Sequence, residues 1–273
     1  MSLHNKVALV TGSGRGLGRR VALTLAAHGA QVVLVSRNAA QLQETQDMIA
    51  RAGGVALALP ADVSEAAQVE QLKTRVEQRF GPVSILVNAA GIFGPIQRVQ
   101  DSEPKRWLET IAINLFGPYL TCQAFVGGMI QAGWGRILNF TSAASLHPPG
   151  PLNSAYGTSK VGLNQFTRHL AAELAGTGVT ANVLHPGDVK TEMWAAIAAE
   201  SEKLGPEAEA YRNWVRWVAQ TGGDDPQKAA DLVLRVVSNE ASAVNGRFLW
   251  IDQGLQLPLP AWSEAVGTQP WRE

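Results

Sequence analysis

The sequence predicts an α/β protein, with a doubly wound parallel sheet as the middle layer of a three-layer α/β/α sandwich. Short apolar runs rich in Val, Ile and Leu alternate with longer helix-compatible stretches along most of the chain. The runs are continuous rather than alternating, which is how strands covered on both faces read. The first run also passes through a glycine-rich turn directly into a helical pattern. Strands separated by helices are joined by right-handed crossovers, and that requires a parallel sheet.

The strand candidates are 7–10, 31–35, 56–59, 85–87, 136–140, 179–184 and 248–251. Helices are expected over 18–28, 39–52 and 64–80, closed by Gly29, Gly53-Gly54 and Gly81-Pro82, since glycine just past a helix is a stop signal. Ser64, with Glu65 and Gln68 nearby, reads as a helix start. No repeat, low-complexity tract or linker divides the chain, so one domain over 1–273 is expected. Two irregular pieces stand out: 188–227, rich in Ala, Glu and Trp, and the Pro- and Trp-bearing tail 255–273.

Composition narrows the function. At 273 residues and 46% hydrophobic the chain has material for a full core. Lys plus Arg equals Asp plus Glu at 23 each, which gives no broad footprint for nucleic acid or an anionic membrane. Small molecules and further copies of the chain are the expected partners. Cys122 is the only cysteine, so no internal disulfide forms, and its apolar neighbours mark a buried structural thiol. One cysteine and five scattered histidines supply no zinc spacing, and no metal site is expected. No apolar stretch reaches the ~18–20 residues of a membrane span. With no signal-peptide pattern at the N-terminus, a soluble cytoplasmic protein is expected.

After the first strand comes Thr11-Gly12-Ser13-Gly14-Arg15-Gly16-Leu17-Gly18, then a helix. Strand, glycine turn and helix N-terminus together present free N–H groups and a positive dipole end, a backbone cradle for a pyrophosphate. The Gly-Lys-Ser/Thr ending of a nucleotide-hydrolysing loop is missing, because Arg19-Arg20 follows Gly18. The second strand ends Val35-Ser36-Arg37-Asn38, without the carboxylate that would bind a ribose 2′-hydroxyl and select NAD. Arg37, joined by Arg15, suits a 2′-phosphate instead, so NADP is the expected cofactor.

Tyr156 and Lys160 stand four residues apart in a helix-compatible stretch, on one face, with Cβ atoms ~5–6 Å apart. A free tyrosine has a pKa of about 10, so proton transfer near neutrality means recovering roughly 3 units, about 4 kcal/mol. A nearby ammonium pushes in that direction by favouring phenolate.

With these residues in hand, the chain resembles the short-chain dehydrogenase/reductase family in its single-domain, cofactor-first form. The resemblance runs from about Lys6 to Gly254. It rests on Thr11-Gly12 to Gly18, Asp62-Val63, Asn88-Ala89-Ala90-Gly91, Asn114, Ser142, Tyr156 with Lys160, and Pro186-Gly187 with Thr191, in that order. It implies a Rossmann fold and a catalytic tetrad of Asn114, Ser142, Tyr156 and Lys160. Tyr156 would be the general acid, Ser142 would bind the carbonyl oxygen, Lys160 would tune Tyr156 and hold the nicotinamide ribose, and Asn114 would open a helix and hold a water leading from the lysine to solvent. Cofactor contacts would come from Gly12, Arg15, Gly16, Leu17, Gly18, Arg37, Asp62, Val63, Asn88, Ala89, Gly91, Tyr156, Lys160, Pro186, Gly187, Val189 and Thr191.

The implied activity is hydride transfer between NADP and a ketone or aldehyde, or the corresponding secondary alcohol. Segment 188–227 would be the substrate lid, and the family's habit implies a homo-oligomer, tetramer or dimer. Trp194, Ile92, Phe93 and the Trp214/Trp217 pair suggest an apolar pocket, although a spacing of three also suits a packed helix face. His147, in a proline-dense loop, is either a substrate contact or a bystander, and the tail is read as a strap over the pocket or a neighbouring subunit. Ala89 and Ser145 depart from the family's usual Asn and Gly. Two rival functions remain: a non-catalytic NADP-sensing protein on the same fold, and an epimerase or dehydratase.

Overall fold

The computed structural model describes residues 2–146 and 150–251. Seven strands form one parallel sheet: β1 (Val7–Thr11), β2 (Gln31–Ser36), β3 (Val55–Pro60), β4 (Ile85–Asn88), β5 (Gly135–Phe140), β6 (Val179–His185) and β7 (Phe248–Trp250). Their spatial order is β3-β2-β1-β4-β5-β6-β7, every neighbouring pair parallel. The order reverses between β1 and β4, and open α/β sheets place ligands beyond the strand C-termini at such a reversal.

Helices cover both faces. On one lie α1 (Gly16–Ala27), α2 (Ala39–Arg51) and α9 (Pro226–Val236), packed on Ala8, Val10, Val32 and Leu34. On the other, α3 (Ala66–Phe80), α5 (Gly117–Gln131) and α6 (Ser154–Glu173) pack on Val7, Leu9, Val33 and Val35. Successive residues of one strand therefore feed opposite cores, which is why these strands read as unbroken apolar runs. A third, smaller cluster joins Ile96 and Leu152 to α7 (Glu192–Ser201) and α8 (Glu209–Thr221) through Ile197, Met193, Tyr211 and Trp214.

Every expected strand is present, its ends close to those the sequence indicates. The reading of Ser64 as a helix start needs correction. Glu65 is the N-cap of α3 and makes no side-chain cap bond. Ser64 instead donates from both N and Oγ to Asp62 Oδ1, at 3.0 and 2.6 Å. Gln68 Oε1 reaches back to accept from the Asp62 N–H at 2.9 Å, so the helix start serves to fix the Asp62 loop.

Asn88 also differs from expectation. Expected as a cofactor contact, it is buried with its side chain turned into the core. Its Nδ2 donates to Asn139 Oδ1 at 2.9 Å, and its Oδ1 accepts from the Thr121 hydroxyl at 2.8 Å. Asn139 Nδ2 passes the chain on to Thr167 Oγ1 at 2.8 Å. Four polar side chains thus tie β4, β5, α5 and α6 together inside the core.

Asn88→Ala leaves Asn139 Oδ1 buried without this donor, a loss of about 2–3 kcal/mol. The expected drop in Tm is about 5–10 °C, read by scanning calorimetry beside the wild type.

Candidate active site

The cradle is built from backbone. Gly12 adopts φ +67°, and a Cβ there would lie 2.9 Å from both N and Cα of Ala90. A Cβ on Gly18 would meet the Gly12 carbonyl. Thr11 Oγ1 draws the two loops together by accepting from the N–H groups of Ala89 and Ala90, each at 3.1 Å. α1 then opens at Gly16 after Arg15, which makes no side-chain cap bond, so the first-turn N–H groups have no capping side chain. A cavity of about 370 Å³ runs along this turn, lined by Gly12, Arg15, Gly16, Leu17, Gly18, Arg37, Asp62, Val63, Ala89, Gly91 and Thr191 among others. Space held open by glycine beside an uncapped helix start fits a dinucleotide pyrophosphate.

Arg37 stands at the mouth of this cavity, largely exposed, between two carboxylates: Nη1 is 3.7 Å from Asp62 Oδ2 and 4.0 Å from Glu109 Oε1. Exposed pairs of this length are worth at most about 1 kcal/mol.

The reactive side chains converge where β5, α6 and the helix ahead of α5 meet. That helix starts as α4 (Pro104–Ile111) and opens into one π-turn over Ala112–Phe116. π-turns accompany functional sites, and Asn114 lies at the centre of this one. It is fully buried; Oδ1 accepts from Ile92 N at 2.9 Å, while Nδ2 donates to Ile92 O at 2.8 Å and Ser159 Oγ at 3.1 Å. The amide therefore grips the Ile92 backbone and α6. A Cβ on Gly91 would lie 3.3 Å from Asn114 Oδ1 and 3.7 Å from Lys160 Nζ, so these two groups meet across a bare glycine.

Ser142 stands two residues past the end of β5, after Thr141. Its hydroxyl accepts from the Ala144 N–H at 3.2 Å, and the residue lines one cavity together with Tyr156. The capping reading of this serine is met by that bond. Lys160, one helical turn beyond Tyr156, is buried and donates from Nζ to the Phe140 carbonyl at 2.8 Å. The Phe93 ring lies on Tyr156 at 4.6 Å between centroids.

Burial dominates the electrostatics. It pushes the Tyr156 phenol up; the neighbouring Ser142 hydroxyl works against this, and the Asp188 charge adds to it. The expectation that Lys160 pulls Tyr156 down is not met in this arrangement, because burial outweighs the relief and that relief comes from Ser142. Lys160 itself is brought down to about 8 by burial. Cys122 is pushed up to about 12, which leaves it an inert thiol.

A second cavity of about 460 Å³ opens over Tyr156. Pro186, Gly187, Val189 and Thr191 form its floor beside Ser142, and Phe93, Met193, Trp194, Ile197, Tyr211 and Trp214 enclose it. Trp214 lines it and Trp217 does not, so the tryptophan pair divides between pocket and surface. Ile92 lines the nucleotide cavity instead. His147 and the tail 255–273 fall outside the described residues.

Asn153, Asp188 and Tyr211 line the cavity as well, with no sequence motif to mark them. Asp188 is detectable only as an acid directly after Pro186-Gly187; its Oδ1 accepts from Trp214 Nε1 at 3.0 Å, tying the strand end to α8. Among the described residues no group of three or more His, Cys, Asp or Glu is placed to hold a metal ion.

The depressed Lys160 makes a pH prediction. The unfolded chain keeps that proton up to 10.5 while the folded chain releases it near 8, so folding is penalised below pH 8 and relieved as pH rises to 10.5. Urea midpoints of wild type and Lys160→Met, measured at about pH 8 and about pH 10, should show the wild type gaining about 2 kcal/mol on the variant across that window.

Comparison with known proteins gives this geometry a common origin. The family model for short chain dehydrogenase matches residues 6–202. The 3-oxoacyl-[acyl-carrier-protein] reductase FabG of Escherichia coli is 32% identical over 259 residues, covering 94% of this chain and 100% of that protein. The structure of NAD+-bound xylitol dehydrogenase superposes with a TM-score of 0.84 at 26% identity, over 92% of this chain and 99% of that one. A variant of actinorhodin polyketide ketoreductase with NADPH gives 0.82 at 30% identity, over 92% and 97%. Sheet order, glycine turn and the grouping of Ser142, Tyr156 and Lys160 share one explanation: the chain is an oxidoreductase of the short-chain dehydrogenase/reductase family.

Proposed function

We propose that this protein is an NADP-dependent reductase of ketones or aldehydes, reversible as an alcohol dehydrogenase, with Tyr156 as general acid and base. The observation that carries the reading is that Ser142 and Tyr156 line one apolar cavity, which shares Leu17, Thr191 and Met193 with the glycine-cradled one, with Lys160 buried one helical turn beyond Tyr156.

When bound, the reduced nicotinamide supplies a hydride to the carbonyl carbon. Ser142 and Tyr156 donate to the carbonyl oxygen, and Tyr156 yields its proton as charge grows there. A phenol pushed up by burial carries its proton at neutral pH, as a general acid does before transfer. Phe93, packed on the Tyr156 ring, fixes the angle at which the hydroxyl meets the substrate. Lys160, its Nζ already bonded to Phe140, keeps two donors for the ribose hydroxyls. Asn114 holds Gly91, Ile92 and Ser159 in register around it.

Arg37 and Arg15, with no carboxylate at 36–38, support NADP. Segment 188–227 acts as the lid of a single domain. The stacked Phe116–Tyr119 rings and the neighbouring Phe166, on the exposed side of α5 and α6, support a homo-oligomer. Among the described residues no helix is long and apolar enough to cross a membrane. A cytoplasmic location fits the composition.

Tyr156→Phe is expected to lower kcat by about 10²- to 10⁴-fold on any ketone while leaving NADPH binding, followed by fluorescence, intact. Retained turnover would refute the assignment. NADPH should bind more tightly than NADH, and Arg37→Ala should remove most of the difference; tighter NADH binding by the wild type would overturn the NADP reading. NADPH binding without turnover of any ketone would favour a sensor.

A further inference from the structure

Among the described residues, the wall of the substrate cavity carries one acid, Asp188, and neither a lysine nor an arginine to balance it. The imidazole in that wall, His185, accepts from the Ala143 N–H at Nδ1, 3.2 Å away, which an imidazolium cannot do. Only half of the Asp188 carboxylate is engaged. Oδ1 accepts from Trp214 Nε1 at 3.0 Å, while the backbone is clamped to Asp224: Asp188 N donates to Asp224 Oδ2 and Asp188 O accepts from Asp224 N, each at 2.9 Å. Oδ2 has no hydrogen bond among the described residues, yet it is not one of the buried unpartnered atoms, so solvent reaches it. Asp188 lines this cavity and not the adjoining nucleotide cavity, so the open oxygen belongs to the substrate side. Its charge is felt by the Tyr156 phenol, which puts it within electrostatic reach of the reacting end.

Aromatic rings complete the setting. Phe93, Tyr211 and Trp214 line the same cavity, and Trp214 is tied to Asp188 by its own N–H. Tyr211 spends its hydroxyl on the Pro151 carbonyl at 3.0 Å and stands edge-on to Phe93 with centroids 6.0 Å apart, so its ring is the surface it offers. A carboxylate beside aromatic rings attracts an ammonium twice over, by direct Coulomb attraction and by cation–π attraction. While the cavity is open, water serves Oδ2. Once cofactor and substrate fill it that water leaves, and a substrate without a positive charge strands a desolvated carboxylate. Leaving a site's polar group unpaired is what makes such a site discriminate.

We infer that Asp188 is a specificity-determining residue that pairs with a positive charge on the substrate, so that the preferred substrate class is the ketone bearing a protonated amine, or the amino alcohol in the reverse direction. The inference rests on the reductase reading above and deepens it. A hydroxyl would satisfy Oδ2 without cancelling its charge, and an anionic substituent would be repelled. In the reaction the carbonyl carbon gains hydride from reduced nicotinamide, the C=O double bond becomes single, and its oxygen gains the Tyr156 proton. The ammonium is bound and left unchanged.

The test compares 4-(dimethylamino)-1-phenylbutan-1-one with 5-methyl-1-phenylhexan-1-one, which have the same shape and differ in charge, at about pH 7, where an alkylammonium keeps its proton. Wild-type kcat/KM should favour the amino-ketone by about 10- to 100-fold. Asp188→Asn keeps an oxygen for Trp214 Nε1 and removes the charge, and it should bring the ratio close to one; any change in Tyr156 cancels in that ratio. Independently of turnover, tryptophan fluorescence should report tighter binding of 4-(dimethylamino)-1-phenylbutan-1-ol than of 5-methyl-1-phenylhexan-1-ol by wild type, with the gap closed in Asp188→Asn. Equal wild-type rates on the two ketones overturn the inference and leave the reductase reading standing. A wild-type preference that survives in Asp188→Asn, or a parallel loss on both ketones, also overturns it. Turnover of neither ketone with NADPH or NADH counts against the reductase reading, and the fluorescence gap then decides the inference: a gap closed by Asp188→Asn supports it, and the absence of a gap overturns it.

Discussion

The reactive end of this molecule depends on a chain of amides and hydroxyls buried away from water. Thr121, Asn88, Asn139 and Thr167 hand hydrogen bonds from α5 through β4 and β5 to α6. A half-satisfied network would be worse than an apolar core, so each member is held in one arrangement by the others. The outcome is positional: β5 delivers Phe140 and Ser142, α6 delivers Tyr156 and Lys160, and the two elements cannot slide relative to each other without orphaning a buried group. Packing alone, which tolerates small shifts, does not give that precision.

Above this frame the site is a set of desolvated polar groups opposing one another. Burial drives Tyr156 towards its neutral form and Lys160 towards its own. The same exclusion of water strengthens every hydrogen bond that remains, including Lys160 to Phe140. Arg37 shows the contrary case at the rim. Its two long ion pairs are solvated and cheap to exchange.

The scaffold is legible in the sequence because its signals are local. Unbroken Val- and Leu-rich runs, closing glycines and Thr11-Gly12 to Gly18 each state a backbone requirement that neighbouring residues answer. Asn114, Ser142, Tyr156 and Lys160 are legible through spacing and family resemblance. What stays hidden depends on direction. Asn88 belongs to a recognisable motif, yet its side chain faces the core, and no pattern in 88–91 says so. Asn153 looks like an ordinary cap until the left-handed Leu152 is seen to turn it aside. Asp188 acquires meaning only when Trp214, far along the chain, is brought against it. The sign of the Tyr156 shift is hidden for the same reason, since spacing reports proximity to Lys160 and says nothing of dehydration.

Thr191 and Met193, with Leu17, line both the nucleotide cavity and the substrate cavity. A partition common to two sites makes their occupancies thermodynamically reciprocal: whatever one occupant does to the affinity of the other is returned in equal measure. Changes in that partition therefore alter two affinities together, whereas changes at Asn153 or Tyr211, which line the substrate cavity alone, alter one. The molecule thus separates positions where selectivity can drift freely from positions where it is bound to the cofactor.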